Sequence, residues 1–265
     1  IQQSQTTIDK LWQSRIGTIL DFSAEGKESA NDFNIALEQI LASIEKAAVS
    51  DSIPFSVFKP TGLCKFSILK KINNNSPLSA DEEIEKKEYE ARVDAICKLA
   101  FDKNVAVFID AEESWIQDAI DSIAEQMMEK YNKQKVLIYN TIQLYRKDRI
   151  DYLNSFLRRA ENNYFIGVKL VRGAYHEQEI ARARAKNYPC PVHTIKADTD
   201  TDYNAALELC IKNIECVAVC AGTHNEESAQ LLTELLEEHN LNKNDERIYF
   251  SQLLGMSDHI SYNLS

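Results

Sequence analysis

Seven short apolar segments recur along the chain, and an amphipathic stretch with helical spacing follows each of the first six. The segments are rich in Val, Ile, Phe and Tyr and are apolar almost without interruption. Continuous rather than alternating hydrophobicity is typical of parallel strands that are covered on both faces. We therefore predict strands within residues 16–25, 54–63, 105–114, 135–145, 165–175, 216–228 and 248–258.

The stretches between these segments predict helices. Residues 114–133, 148–163 and 227–240 place apolar side chains three and four positions apart. Strand–helix alternation allows either a (β/α)8 barrel or a doubly wound open sheet. Seven strands in 265 residues favour the α/β class with a (β/α)8 TIM-type barrel. No G-x-G-x-x-G follows any of the strands, which argues against a dinucleotide-binding sheet.

We expect one domain over residues 1–265, with a helical lead-in at 1–15 and a long helical connection at 64–104. Ser79 and Glu82 in that connection have the spacing of a capping box, which predicts a helix that begins after Ser79. The apolar stripe of this helix is expected to comprise Ile84, Val93, Ile96, Cys97 and Ala100.

Composition excludes several classes of function. The net charge of −11 argues against nucleic acid as a partner, because phosphate binding needs a basic surface. No apolar run approaches the roughly 20 residues of a transmembrane helix. The six cysteines form no C-x-x-C pair and are expected to be free thiols in a reducing compartment. No H-x-H, H-E-x-x-H or G-x-S-x-G spacing supports a metal site or a serine nucleophile.

Polar side chains follow most of the predicted strands, where the chemistry of such barrels is located. They are Lys59, Asp110, Glu112, Asn140, Gln143, Lys169, Arg172, Thr223, His224, Asn225 and Gln252. Taken singly, each has a structural explanation: Lys59 could extend out of a strand end, and Asp110 could cap the next helix. Together they indicate cations, an acid and amides at one end of a barrel.

Three classes of function fit this set. Cationic side chains could hold an anionic or electron-rich cofactor such as a flavin. Alternatively, Lys169 or Lys59 could be a desolvated amine that forms a Schiff base, as in aldolases. A non-catalytic binding barrel would leave the convergence of polar strand ends unexplained.

Several motifs resemble those of the proline dehydrogenase family, in particular its stand-alone members. In chain order they are "FKPTGL", "FIDAEES", "YNTIQLY", "VKLVRGAYHEQE", "KADTDTDYNAAL", "GTHNEES" and "QLLGMSDHISYNL". The combination of "KLVRGAY", "THNE" and "QLLGM" at these separations is specific, and the resemblance covers about residues 15–265.

This resemblance implies a distorted (β/α)8 TIM-type barrel that holds FAD across the carboxyl ends of its strands. It implies oxidation of L-proline to 1-pyrroline-5-carboxylate, with hydride passing from proline C5 to flavin N5 and electrons passing on to a quinone. The alternatives are a hydroxyproline dehydrogenase and the lysine aldolase. The expected location is cytoplasmic, peripheral on the inner face of a respiratory membrane, or mitochondrial in a eukaryote. The oligomeric state is left open.

The resemblance also implies roles for individual residues. Lys169 would lie beside flavin N5 and stabilise the negative charge of the reduced ring. The catalytic and substrate residues would be Lys59, Asp110, Lys169, Tyr175 and Leu253. The cofactor would contact Gln143, Lys169, Val171, Gly173, Ala174, Tyr175, His176, Lys196, Thr199, Thr223, His224, Asn225 and Gln252. No metal is implied.

Three departures from the family pattern stand out. Many relatives have Arg and then Lys where this chain has Lys169 and then Arg172, and the two cations differ in geometry. His176 replaces an aromatic residue of some relatives. The chain stops at Ser265, so the eighth strand and the last helix, with its paired arginines for the proline carboxylate, are expected beyond this end.

Overall fold

The computed structural model of the chain describes residues 5–21, 28–161 and 163–265. Within them, every predicted apolar segment contains a strand, so the seven strand predictions are confirmed. Residues 22–25 of the first predicted segment lie outside the described residues. The strands are β1 (Leu20–Asp21), β2 (Phe55–Phe58), β3 (Ala106–Ile109), β4 (Ile138–Gln143), β5 (Ile166–Val171), β6 (Val217–Gly222) and β7 (Ile248–Ser251).

Ten α-helices lie within the described residues, and they include the three predicted at 114–133, 148–163 and 227–240. They are α1 (Gln5–Trp12), α2 (Ala30–Ala47), α3 (Phe66–Asn73), α4 (Ala80–Lys103), α5 (Ser114–Tyr131), α6 (Arg149–Ala160), α7 (His176–Lys186), α8 (Lys196–Lys212), α9 (Glu226–Glu238) and α10 (Asp258–Leu264). None of these helices has the length and apolar character that a bilayer-spanning helix needs.

The first compact unit comprises Ile1–Asn140. In it β1 pairs with β2, β2 with β3 and β3 with β4, and all three pairings are parallel. Their side chains form an aromatic cluster in which Phe55 stacks on Phe108 at 4.3 Å between ring centroids and Tyr139 meets both rings edge-on. Such a dense apolar contact on a parallel sheet is what the uninterrupted hydrophobicity of these segments predicts.

Helix α4 begins with the predicted capping box. Ser79 Oγ accepts a hydrogen bond from the Glu82 N–H at 3.3 Å, and the Glu82 carboxylate accepts one from the Ser79 N–H at 2.8 Å. Val93 and the three predicted residues after it are buried, but Ile84 is 57% exposed. The prediction for Ile84 is wrong because nine residues are two and a half helical turns, which places it opposite Val93.

The second compact unit comprises Thr141–Ser265. Here β5 pairs with β6 and β6 with β7, again in parallel. Lys169 lies opposite Cys220, and Gly222 lies opposite Ser251. Because all strands within a unit point the same way, the residues that follow their carboxyl ends lie along one edge of each unit's sheet.

Candidate active site

Lys59 and Asp110 lie side by side at the strand ends of the first unit. Phe58 pairs with Ile109 in the sheet, and the Asp110 N–H donates to the Phe58 carbonyl oxygen at 3.0 Å. Both side chains are half-buried. The N-cap residue of helix α5 is Glu113, three residues after Asp110.

Glu112, two residues beyond Asp110, is a buried carboxyl group. Its oxygens accept hydrogen bonds from the N–H of Thr61, at 2.9 Å, and from the Thr61 hydroxyl. Burial raises the pKa of Glu112 from 4.5 to about 7, and the hydrogen bonds from Thr61 and the charge of Lys59 oppose this rise only in part.

In the second unit, the loops after β4 and β5 are joined by hydrogen bonds. The backbone N–H of Leu144 donates to the Val171 carbonyl at 2.8 Å, and the N–H of Tyr145 donates to the Arg172 carbonyl at 2.7 Å. Gln143 Oε1 accepts from the Ala174 N–H at 3.4 Å. Two predicted cofactor residues, Gln143 and Ala174, are thereby brought together.

Arg172 is surrounded by partners from its own unit. Its Nε donates to Asp200 at 2.7 Å, and its terminal nitrogens donate to the Thr223 hydroxyl at 2.6 Å and to the Ser228 hydroxyl at 3.0 Å. The guanidinium carbon lies 4.4 Å from the centroid of the Tyr203 ring. The guanidinium therefore joins the end of β5 to α8, to the end of β6 and to α9.

Three further predicted residues meet at the ends of β6 and β7. The Thr223 hydroxyl accepts from the Asn225 N–H at 3.0 Å, and the Thr223 carbonyl accepts from Gln252 Nε2 at 3.3 Å. Asn225 is also the N-cap residue of α9, where its side-chain oxygen accepts from the Ser228 N–H at 2.9 Å. Thr223 is buried and is held from both sides.

Lys196 is the first residue of α8 and its side chain is 72% exposed. Its ammonium donates to Asp200 at 2.6 Å, so Asp200 is shared between Lys196 and Arg172. Burial raises the pKa of Asp200, but the hydrogen bonds from the two cations outweigh that effect and lower it. The N-cap residue Ile195 offers no side-chain acceptor to the first amides of α8.

The other predicted residues are spread over the same unit. Lys169 and Val171 are half-buried on β5, and Tyr175 and His176 are half-buried at the start of α7. His176 Nε2 lies 2.9 Å from the His193 carbonyl oxygen. His224 is exposed, Leu253 is 66% exposed, and Thr199 is buried within α8.

Sequence reasoning did not identify the partners of Arg172. Asp200 and Tyr203 are three residues apart, which places them on one face of α8. The acidic run 196–203 was the available signal, because a cation at a buried strand end needs a counter-charge. The sequence offers Asp198, Asp200 and Asp202 equally, and only the orientation of α8 selects Asp200.

Comparison with known proteins places this arrangement in a family. The model of the proline dehydrogenase family matches residues 4–265. Carbapenem antibiotics biosynthesis protein CarD of Pectobacterium carotovorum subsp. carotovorum is 32% identical over all of this chain and 68% of its own length. Mitochondrial proline dehydrogenase 1 of Dictyostelium discoideum is 30% identical over all of this chain and 54% of its own length.

The human mitochondrial proline dehydrogenase 1 is 37% identical, over 71% of this chain and 32% of its own length. Among solved structures, proline utilization A of Bdellovibrio bacteriovorus, inactivated by N-propargylglycine, superposes with a TM-score of 0.82 at 21% identity. That match covers 99% of this chain and 28% of the other. The likeness confirms the TIM-like barrel class predicted from the strand–helix alternation.

This chain spans between about a quarter and two thirds of the length of these relatives. The family model nevertheless covers nearly every residue of the chain, and two relatives match it from end to end at 30% identity or more. The chain belongs to the proline dehydrogenase family.

Proposed function

We propose that the protein oxidises L-proline to 1-pyrroline-5-carboxylate with bound FAD and passes the electrons to a quinone. Family membership supports the reaction class. The observation that carries the proposal is the hydrogen-bonded set in the second unit that joins Gln143 to Ala174 and Arg172 to Thr223, Asn225 and Gln252 through the ends of β4 to β7.

The donor chemistry of α8 fits the phosphates of such a cofactor. The first amide groups of this 17-residue helix have no side-chain acceptor from Ile195, and the helix dipole favours an anion there. The exposed ammonium of Lys196 lies at the same end. Thr199, Thr223, His224 and Asn225 complete the proposed contacts to the phosphate and adenosine portion.

The flavin supplies the hydride acceptor when it is bound. The proposed contacts to its ring and ribityl chain are Gln143, Lys169, Val171, Gly173, Ala174, Tyr175, His176 and Gln252. The ammonium of Lys169 is proposed to stabilise negative charge that develops beside it, which is a preorganised electrostatic role. Lys59, Asp110, Tyr175 and Leu253 are the proposed substrate contacts.

A visible absorption spectrum of the purified protein, before and after L-proline is added without oxygen, tests the proposal. We expect a flavin band that L-proline bleaches and that a quinone analogue restores. A parallel titration with trans-4-hydroxy-L-proline measures ring specificity, and L-proline is expected to bleach the band faster. A protein without a flavin band, or with a band that neither amino acid bleaches, contradicts the proposal; trapping by borohydride would then indicate the lysine aldolase.

N-Propargylglycine provides an independent test, because the Bdellovibrio protein was solved after inactivation by it. We expect the same compound to abolish proline oxidation here and L-proline to protect against it. If L-proline does not slow the time-dependent loss of activity, the inactivator reacts outside the proline site.

Lys169→Met isolates the proposed role of the strand cation. We expect it to slow flavin reduction by proline more than it reduces FAD content, because a neutral side chain of similar length keeps packing but loses charge. Lys212→Met, at the exposed end of α8, is the matched control. Equal reduction rates in the wild-type protein and Lys169→Met would remove Lys169 from the chemistry.

A further inference from the structure

The buried carboxyl group of Glu112 holds the loop that follows β2. Glu112 is 3% exposed and Thr61 is 4% exposed. The carboxyl oxygens accept from both the backbone N–H and the hydroxyl of Thr61, so one residue of the loop receives both bonds. Two bonds to one residue fix its orientation as well as its position.

Thr61 lies in the tight turn Pro60–Gly62, which begins directly after Lys59. The Gly62 N–H donates to the Lys59 carbonyl at 3.0 Å, and Pro60 restricts its own backbone angle. On the other side, the strand pairing continues to the Asp110 N–H and the Phe58 carbonyl. The backbone of Lys59 is therefore fixed by the sheet before it and by the Glu112-held turn after it.

Glu112 is itself fixed by a buried amide network. Its N–H donates to Gln117 Oε1 at 2.8 Å, and Gln117 Nε2 donates to Asp121 at 2.8 Å. Asn140 of β4 donates to the same Asp121 oxygen at 2.9 Å. A polar network of this kind, built on α5 and β4, gives the carboxyl group little freedom to move.

Neighbouring charges and burial both affect the pKa of Glu112. The charge of Lys59 lowers the pKa of Glu112, whereas burial and the charge of Glu113 raise it. Burial raises the pKa of Tyr89 of α4, and the charge of Glu112 adds to that rise. Asp121 of α5 faces it through Gln117.

We propose that Glu112 is a positioning residue which, through Thr61, sets the direction of the Lys59 ammonium group toward the substrate. This inference rests on the proposed function, because it assumes that Lys59 contacts the substrate. It extends that function by assigning a role to a carboxyl group and a threonine that lie behind the reacting groups. A lysine that is already oriented loses less conformational entropy when the substrate binds, and its ammonium group is correctly aligned with the substrate more often.

The first test reads the direction of Lys59 without activity. Lysines are dimethylated with ¹³C-formaldehyde, the Lys59 signal is assigned by its loss in Lys59→Arg, and Lys212 is the exposed reference. We expect the NMR chemical shift of Lys59 to differ from that of Lys212. Glu112→Ala and Thr61→Ala should move the Lys59 shift toward that of Lys212, and Thr61→Ser should leave it unchanged. A Lys59 signal that is unchanged in Glu112→Ala, Glu112→Gln and Thr61→Ala overturns the proposal. Thermal unfolding selects the variants that fold.

The second test asks whether Glu112 acts through Lys59. We expect Glu112→Ala to lower kcat/KM for proline roughly tenfold to a hundredfold, the cost of a misplaced group. The same change in a Lys59→Ala background should cost nothing further. An undiminished loss in that background overturns the proposal. If the wild-type protein does not oxidise proline but the Lys59 signal responds, the proposed function fails, whereas the positioning of Lys59 by Glu112 stands without proline as the substrate.

Discussion

Arg172 is held by three oxygen acceptors and one aromatic ring, supplied by α8, the end of β6 and α9. Its side chain is 21% exposed, so its charge is largely removed from water and needs these partners. The bonds leave the Thr223 hydroxyl facing both Arg172 and the Asn225 N–H. Arg172 therefore holds the loop at Thr223 and Asn225, which belongs to the proposed cofactor site.

We expect Arg172→Lys to destabilise the protein by about 2 kcal/mol, because one ammonium cannot reach three acceptors that a planar fork reaches together. Urea unfolding measures the change. Arg158→Lys, on the exposed surface of α6, is the control and should stay within about 0.5 kcal/mol. A loss at Arg172 no larger than that of the control would show that the fork geometry is dispensable.

The connections between elements contain the sharpest backbone constraints. Gly173, between β5 and α7, has a φ of +134°, and a Cβ atom there would lie 2.5 Å from the Tyr145 ring. Gly255, in the loop after β7, has a φ of +82° with nothing within 4 Å of an added Cβ. Substitutions at the two glycines therefore distinguish backbone strain from steric overlap, because an added Cβ atom would meet another side chain only at Gly173.

Gly173→Ala is expected to cost more stability than Gly255→Ala, because it adds displacement of the Tyr145 ring to a strain of about 1–3 kcal/mol. Both variants are compared by urea unfolding, and near-ultraviolet circular dichroism reports displaced tyrosine rings. Equal losses at the two sites would mean that the loop after β5 moves aside freely.

Ser79→Ala tests the start of α4. We expect a loss of about 1 kcal/mol, because the Glu82 N–H loses the Ser79 hydroxyl as its acceptor, whereas the bond from the backbone N–H of residue 79 to the Glu82 carboxylate remains. Ser79→Asp, which also accepts the Glu82 N–H, is the matched variant and should retain most of the stability. Hydrogen exchange of the amides near residue 82 localises the effect; unchanged exchange in Ser79→Ala would refute it.

Two acidic side chains, Asp148 and Glu112, have pKa values that are shifted in opposite directions. Burial raises the pKa of Asp148, but the hydrogen bond from Arg149 and the charge of Arg146 outweigh it and lower the pKa from 3.8 to about 2. Glu112 is the opposite case, with its pKa raised by burial from 4.5 to about 7. Asp148 therefore favours folding above pH 4, and Glu112 favours it most at acidic pH.

The pH dependence of unfolding should show both effects. The contribution of Asp148 is lost as the pH falls from about 4 to about 2, and Asp148→Asn should flatten that acid limb. The contribution of Glu112, up to about 3 kcal/mol, is lost as the pH rises from about 4.5 to about 7, and Glu112→Gln should flatten that limb alone. Urea unfolding between pH 2 and 8 measures both parts of the pH dependence. The assignment is contradicted if Asp148→Asn removes the pH dependence that is attributed to Glu112, or if Glu112→Gln removes the one that is attributed to Asp148.

The seven strands, the principal helices and the barrel class are predictable from the amino-acid sequence, because they depend on hydrophobic periodicity and on capping residues that are close in the chain. The sequence also indicated which strand ends are polar. Ile84 is apolar but exposed, because the phase of α4 places it opposite Val93. Local signals of this kind are sufficient for elements and insufficient for the contacts between their side chains.

The contacts of the polar side chains follow from the tertiary structure and not from local sequence. Asp200 was chosen among three nearby aspartates by the rotation of α8, and Glu112 reached Thr61 across 51 positions of sequence. Such pairings depend on where distant segments meet and on how deeply they are buried. Burial makes an unpartnered charge costly. For this reason Arg172 has several hydrogen-bond partners, and the pKa of Glu112 is raised.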